Sequence, residues 1–272
     1  KTRTFSTGEG RVAVSSPREI FCNLRQLRGA PMSKFLKVEF RKNISVLTLN
    51  RPEHLNALSF ALLEEMQKCL NDISASTSRA LIIRGTGERA FCAGADVAEL
   101  VGRTASQHRR GLEVGQKLLE LLCHYNIPTI ALVNGFALGG GLEVALGCDF
   151  RLATPSARFG FPEIKLGLIP GYGGTQRLPR LIGEGRALEM IVSGRMIRAD
   201  EAERIGLVHK IVSQEHFMEE TLEFISGFDK YSLATVGYAR RAVKAALDQP
   251  IHEGLKVEAD CSTLAYQTRD AE

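Results

Sequence analysis

The chain has 272 residues, 44% of them hydrophobic and 24% charged, with 35 basic against 31 acidic residues and a net charge of +4. That is enough chain for one large core or two small ones, and its composition excludes a chain disordered throughout. No run of Lys or Arg accounts for the excess charge, so a nucleic-acid partner is not expected, and apolar stretches such as 128–133 fall short of the ~20 residues a membrane helix needs.

Residues 1–31 differ from the rest. Lys1, Arg3, Arg11, Arg18, Arg25 and Arg28 face only Glu9 and Glu19, with serines between. We read them as a poorly ordered or non-native extension ahead of Met32; the alternative is the remnant of an organelle transit peptide. Residues 35–40 and 44–49 read as strands joined by a hairpin turn at Arg41, Lys42 and Asn43. Leu58, Leu62, Met66, Leu70 and Ile73 recur at helical spacing and predict a helix over 58–73. A short buried strand at 80–83 follows, then a polar helix from about 106 to 124 and a third buried strand at 129–133 behind Pro128.

Strands alternating with helices imply crossover connections and a largely parallel sheet, so the fold class is α/β. Another strand is expected at 149–153. Beyond about 185, the apolar residues Leu188, Ile191 and Val192, then Leu222, Phe224 and Ile225, then Val236, Ala239, Val243 and Leu247 fit helices, which makes the last third helical.

Two stretches carry chemistry. In 90–96 (AFCAGAD) a run of small residues leaves a strand and enters a helix, exposing backbone N–H groups. In 134–143 (NGFALGGGLE) a strand ends and three glycines open an apolar helix, bringing unpaired N–H donors and the positive end of the helix dipole up to a ligand. Either stretch alone is as easily a tight connection with no ligand. Neither the phosphate-loop pattern nor the dinucleotide fingerprint fits GGGLEVA at 139–145. A donor pair for a non-phosphate oxygen remains, one N–H from each stretch on a single carbonyl, and such an oxyanion hole would polarise a thioester. Glu143 lies three residues beyond Gly140, and Glu163 follows in FGFPE. Apolar neighbours (Leu142, Val144, Ala145 and Leu146; Phe161, Pro162 and Ile164) are expected to raise both carboxyl pKa values toward neutrality. One such glutamate is more often a helix-start charge; two beside oxyanion donors point to an acid/base pair.

At this point the sequence resembles the crotonase, or enoyl-CoA hydratase/isomerase, superfamily. Residues 130–150 (IALVNGFALGGGLEVALGCDF) are similar to its signature along their whole length. RPEHLNAL at 51–58, FCAGAD at 91–96, FGFPEIKLGLIPGYGGTQRLPR at 159–180 and ADEAERIGLVHKIV at 199–212 extend the resemblance over about 34–269. It implies a crotonase-like β-β-α spiral core over 32–200 and a helical trimerisation region over 201–272, in homotrimers or homohexamers. It also implies an oxyanion hole from the N–H groups of Ala95 and Gly140, with Glu143 activating water and Glu163 delivering the proton to the α-carbon. Coenzyme A, entering as part of an acyl-CoA substrate, would lie near Leu55, Ala57, Ala93 and Val97, with Pro162 and Gly171 as further substrate contacts and Arg51 and nearby basic residues meeting the phosphates. No other cofactor and no metal is implied. Both glutamates favour hydration of 2-enoyl-CoA thioesters to 3-hydroxyacyl-CoA, in fatty-acid or related acyl-CoA degradation. The rivals are an enoyl-CoA isomerase or thioester hydrolase of the same superfamily, or a non-catalytic RNA-binding member. Two departures stand out. Tyr172 occupies a position where hydratases commonly carry a small residue, which either reshapes the acyl pocket or simply packs. The sequence stops at TRDAE, where members usually continue into a final helix, so the C-terminal region reads as truncated.

The six cysteines (22, 69, 92, 123, 148 and 261) form no CxxC pair and have no histidine partners at metal-site spacing. They read as reduced thiols of a cytoplasmic protein, or of the mitochondrial matrix if the transit reading of 1–31 holds. Cys92 is read as a core residue rather than a nucleophile, His54 and His108 as surface or structural, and Asp149 as a structural hydrogen-bond acceptor.

Overall fold

A computed structural model describes residues 34–270 apart from 75 and 269; the expectations for residues 1–31 and for Cys22 lie outside them. Among the described residues ten strands form two sheets. The larger has the order β1-β2-β3-β5-β7-β10 and the smaller β4-β6-β8-β9. β1 (Leu36–Arg41) and β2 (Ile44–Leu49) form the antiparallel hairpin expected, with Arg41 opposite Ile44. β3 (Ala80–Gly85), β5 (Thr129–Val133), β7 (Phe150–Ala153) and β10 (Lys210–Ile211) then add in parallel.

Three successive ββα units build the middle of the chain. In each, the first strand enters the large sheet and the second enters the small one before a helix follows. β3 and β4 (Ala90–Cys92) lead to α2 (Ala105–Cys123), β5 and β6 (Phe136–Leu138) to α3 (Gly140–Gly147), and β7 and β8 (Arg158–Gly160) to α4 (Gly174–Ile182). β9 (Met196–Arg198) closes the small sheet antiparallel to β8. This is the β-β-α spiral that the family resemblance implied. The last third is helical apart from β9 and β10: α5 (Glu184–Ser193), α6 (Ala199–Arg204), α7 (Phe217–Ser226), α8 (Leu233–Asp248) and α9 (Ile251–Tyr266).

The central strands β2, β3 and β5 are buried on both faces, so they read as nearly continuous buried runs, whereas the edge strand β1 alternates buried and more exposed residues. Along β2, β3 and β5, Leu47, Leu81, Ile83 and Ala131 point into the main core with α1 (Phe60–Ser74) and α2. Their neighbours Val46, Ile82, Ile130 and Leu132 point the other way, under Phe217, Phe224 and Phe228. Among the described residues no helix is long and apolar enough to cross a membrane.

One boundary differs from expectation for a physical reason. The helix predicted from Leu58 starts at Phe60, because Ser59 Oγ accepts from Leu62 N at 3.2 Å and Glu99 Oε2 accepts from Phe60 N at 2.7 Å. Leu58 instead forms a parallel bridge with Ala95. Asp149 precedes β7 as an acceptor for Thr129 N and the Arg240 and Lys244 side chains, the structural role expected of it.

Candidate active site

The site forms where the small sheet delivers its strands to the N-terminus of α3. A Cβ on Gly141 would collide with the Cys92 carbonyl, so only glycine lets α3 seat itself on β4. Gly139 has φ 51° and ψ −127°, a conformation that L side chains rarely adopt. The space beside Gly139 is also taken: a Cβ built there would sit 2.5 Å from Glu163 Oε1. Gly139 N donates to Gly160 O at 2.9 Å, tying this turn to β8 just before the segment that carries Glu163.

Ala95 reaches the same place through its bridge to Leu58, with Leu58 N donating to Gly94 O at 2.8 Å and Asp96 N to Leu58 O at 2.9 Å. Gly94 (φ 110°) turns the chain so that its Cβ position lies 3.7 Å from Gly140 N. Gly140 is the first residue of α3, and its N–H points out of a helix end where no intrahelical acceptor exists. The two segments singled out in the sequence therefore meet.

Glu143 lies in the first turn of α3 and is 2% exposed. Its Oε1 accepts from Tyr172 N and Gly174 N, each at 2.7 Å. Burial raises its pKa from 4.5 to about 7, against the lowering effect of those backbone donors and of Arg177. Glu163 stands on a short 3-10 turn (Pro162–Leu166), half-buried. Its Oε2 is buried with no hydrogen-bond partner among the described residues. Burial first, and then the negative charge of Glu143, set against a lowering backbone hydrogen bond, raise its pKa to about 7 as well. Two carboxyls raised toward neutrality, the second in part by the charge of the first, can hold one acid and one base at once.

The other expected contacts separate into two groups. Leu55, Ala57, Ala93 and Val97 line one edge: Leu55 O accepts from Ala93 N at 3.0 Å, Ala57 follows in the same loop, and Val97 is exposed on the short turn after Asp96. Pro162 opens the turn that carries Glu163, and Gly171 sits under Leu112, its carbonyl accepting from Gln116 Nε2 at 2.8 Å. Arg51 is a correction. It is buried, its Nη2 is 3.0 Å from Asp96 Oδ2, and its Nη1 donates to Ala57 O, so it braces the loop from inside instead of meeting phosphates. Asn56, missed in the sequence, does similar work. It is buried at φ 57°, accepts from Arg51 N and donates to Thr86 O and Ala90 O, pinning the 51–58 loop to β4. Leu55 beside it also has positive φ (52°), strain held in place by these bonds. Burial raises the Cys92 thiol to about 12, in keeping with a core residue.

Comparison with known proteins gives the family and the fold. The profile of the enoyl-CoA hydratase/isomerase family matches residues 39–272. A crotonyl-CoA hydratase of Syntrophomonas wolfei is 39% identical over 86% of this chain and 90% of its own length. A short-chain-enoyl-CoA hydratase of Clostridium acetobutylicum is likewise 39% identical, over 86% of this chain and 90% of its own. The crystal structure of an enoyl-CoA hydratase from Bacillus anthracis superposes with a TM-score of 0.84 at 39% identity, covering 88% of this chain and 93% of the other.

Proposed function

Because the chain belongs to the enoyl-CoA hydratase/isomerase family, we propose that it adds water across the double bond of 2-enoyl-CoA thioesters, with Glu143 and Glu163 as the acid/base pair. The observation that carries this reading is the pairing of two carboxyls, both raised to about 7, at a helix N-terminus whose first N–H has no intrahelical acceptor.

In the proposed reaction the thioester oxygen accepts from the N–H groups of Ala95 and Gly140. These donors stabilise the enolate that forms as water attacks the β-carbon, and losing one such donor typically costs about 3–4 kcal/mol of transition-state stabilisation. Glu143, fixed by two backbone donors, orients the water and takes its proton. Glu163, with one oxygen unpartnered among the described residues, delivers a proton to the α-carbon. Oxygen ends on the β-carbon, hydrogen on the α-carbon, and the pair regains its starting proton count. Coenzyme A is part of the substrate and lies along Leu55, Ala57, Ala93 and Val97, with Pro162 and Gly171 on the acyl side; no metal or redox cofactor takes part. Fatty-acid or related acyl-CoA degradation is the setting that this chemistry serves.

Homotrimers or homohexamers belong to the same reading, supported by Val243, Leu247, Ile251 and Leu255 exposed along α8 and α9. So does a cytoplasmic setting, with the mitochondrial matrix as the alternative, to which five free cysteines among the described residues are suited.

The test is the ultraviolet absorbance of the conjugated thioester in crotonyl-CoA. Wild type should abolish it with formation of 3-hydroxybutyryl-CoA, and Glu143→Gln and Glu163→Gln should each slow that by about 10²–10⁴-fold. A folded wild type that releases free coenzyme A thiol, or only shifts the double bond of a 3-enoyl-CoA, would overturn the reading.

A further inference from the structure

Tyr172 is the departure that the hydration chemistry does not use: its backbone N–H holds Glu143, while its side chain has no part in the proposed reaction. The ring is buried, 5% exposed, and stands between two helices. One edge, Cδ1 and Cε1, fills the space where a side chain at Gly115 of α2 would be; the other, Cε2 and Cδ2, lies 3.2 and 3.3 Å from the Cβ position of Gly140. The ring thus bridges the gap between α2 and the end of α3 that presents Gly140 N–H.

Gly111 and Gly115 are four residues apart, hence on one face of α2. The notch at Gly111 is filled by the Phe60 ring, which Arg103 covers at 4.0 Å from its centroid. The notch at Gly115 is filled by Tyr172. Gln116 ties the loop to the same helix through Gly171 O, and Leu112 closes over Gly171. The face of α2 toward the site is therefore an aromatic wall with both of its gaps occupied.

Under the proposed reaction, the thioester oxygen is pinned at Ala95 and Gly140 and the β-carbon faces Glu143. The fourth acyl carbon and any beyond it must then run toward the 172–174 loop that holds Glu143 Oε1, and so toward the Tyr172 ring. We infer that Tyr172 is a specificity residue: its ring, seated in the Gly115 notch, ends the acyl pocket and restricts this enzyme to short acyl groups of about four carbons. Preformed pockets select by the room they leave, and a single methylene in an apolar pocket already shifts selectivity by about 10–200-fold.

This inference rests on the hydration reading, so its test has a binding arm that does not need turnover. Calorimetric binding of butyryl-CoA and decanoyl-CoA is measured on wild type, Tyr172→Ala and Tyr172→Phe, beside hydration of crotonyl-CoA and 2-decenoyl-CoA. Wild type should favour the four-carbon thioester by at least about a hundredfold in both arms, Tyr172→Phe should keep that ratio, and Tyr172→Ala should narrow it at least about tenfold. Equal affinity of wild type for both lengths overturns the inference without any variant needing to fold. An unchanged ratio in a Tyr172→Ala protein with a cooperative thermal transition overturns it too. Wild type that hydrates neither thioester yet binds butyryl-CoA with the stated preference would sink the reaction reading and leave the pocket assignment standing.

Discussion

The two glutamates have their pKa values raised to about the same value by different surroundings. Glu143 sits on a regular helix, 2% exposed, with one oxygen gripped by two backbone N–H groups. Glu163 sits on a five-residue 3-10 turn, half-buried, with its Oε2 accepting no hydrogen bond from the described residues and the charge of its partner adding to the cost of ionising. The first is held as an acceptor in one orientation, which suits a group that positions water. The second is poised to hold a proton that no neighbour claims, which suits a group that hands one over.

Replacing each acid by its amide gives the largest expected effect. Glu143→Gln and Glu163→Gln should each lower kcat for crotonyl-CoA by about 10²–10⁴-fold, and the double variant should lose far less than the product of the two, because the residues act as a unit. Steady-state kinetics with all three proteins decides this; multiplicative losses would mean that the two act independently.

A second contrast comes from the glycines that shelter each carboxyl. Gly139→Ala places a Cβ against Glu163 Oε1 in a backbone conformation that alanine resists, and should cost about 10²-fold in kcat with KM little changed. Gly174→Ala, next to Glu143 Oε1 at 3.0 Å and against the Phe161 ring, has no φ strain and should cost only about tenfold. If Gly174→Ala were the more damaging, the Glu143 cradle would be the less tolerant of the two.

The smallest effect is on stability. Folded Glu143 keeps its proton up to about pH 7, whereas the unfolded carboxyl releases it near 4.5. Between those values the unfolded state binds fewer protons, so this group makes the fold less stable as pH rises, by on the order of 3 kcal/mol once above pH 7. Glu143→Gln removes that cost, so its Tm should exceed that of wild type by several degrees at pH 8 and by much less at pH 4.5. Thermal melts of the two proteins at those two pH values check the sign. An equal shift at both would assign the gain to something other than ionisation.

Much of the fold was legible because its large elements repeat a pattern. β2, β3 and β5 are apolar runs, and Leu62, Met66, Leu70 and Ile73 mark one face of α1. The small sheet was not legible. β4, β6, β8 and β9 have three residues each, too few for any period to show, and they pair across distant parts of the chain. The site was readable where glycines cluster before Glu143, because a second small-residue stretch and a second glutamate among apolar neighbours stood beside them in the sequence. Arg51 was misread because its partner Asp96 lies 45 positions away, and a cation in a loop resembles a phosphate ligand until that partner is seen. Asn56 looked like an ordinary turn residue, and only its bonds to Thr86 O and Ala90 O show that it fastens the loop.

The division of labour between the two carboxyls is tested most directly by exchange at the α-carbon, which needs no water attack. Butyryl-CoA is incubated in D₂O with wild type, Glu143→Gln and Glu163→Gln, and deuterium at the α-carbon is followed by NMR. With Glu163 as the group that moves the α-proton, wild type and Glu143→Gln should both exchange, within about tenfold of each other, while Glu163→Gln falls by at least about a hundredfold. Exchange that survives in Glu163→Gln and vanishes in Glu143→Gln would contradict the assignment and reverse the roles.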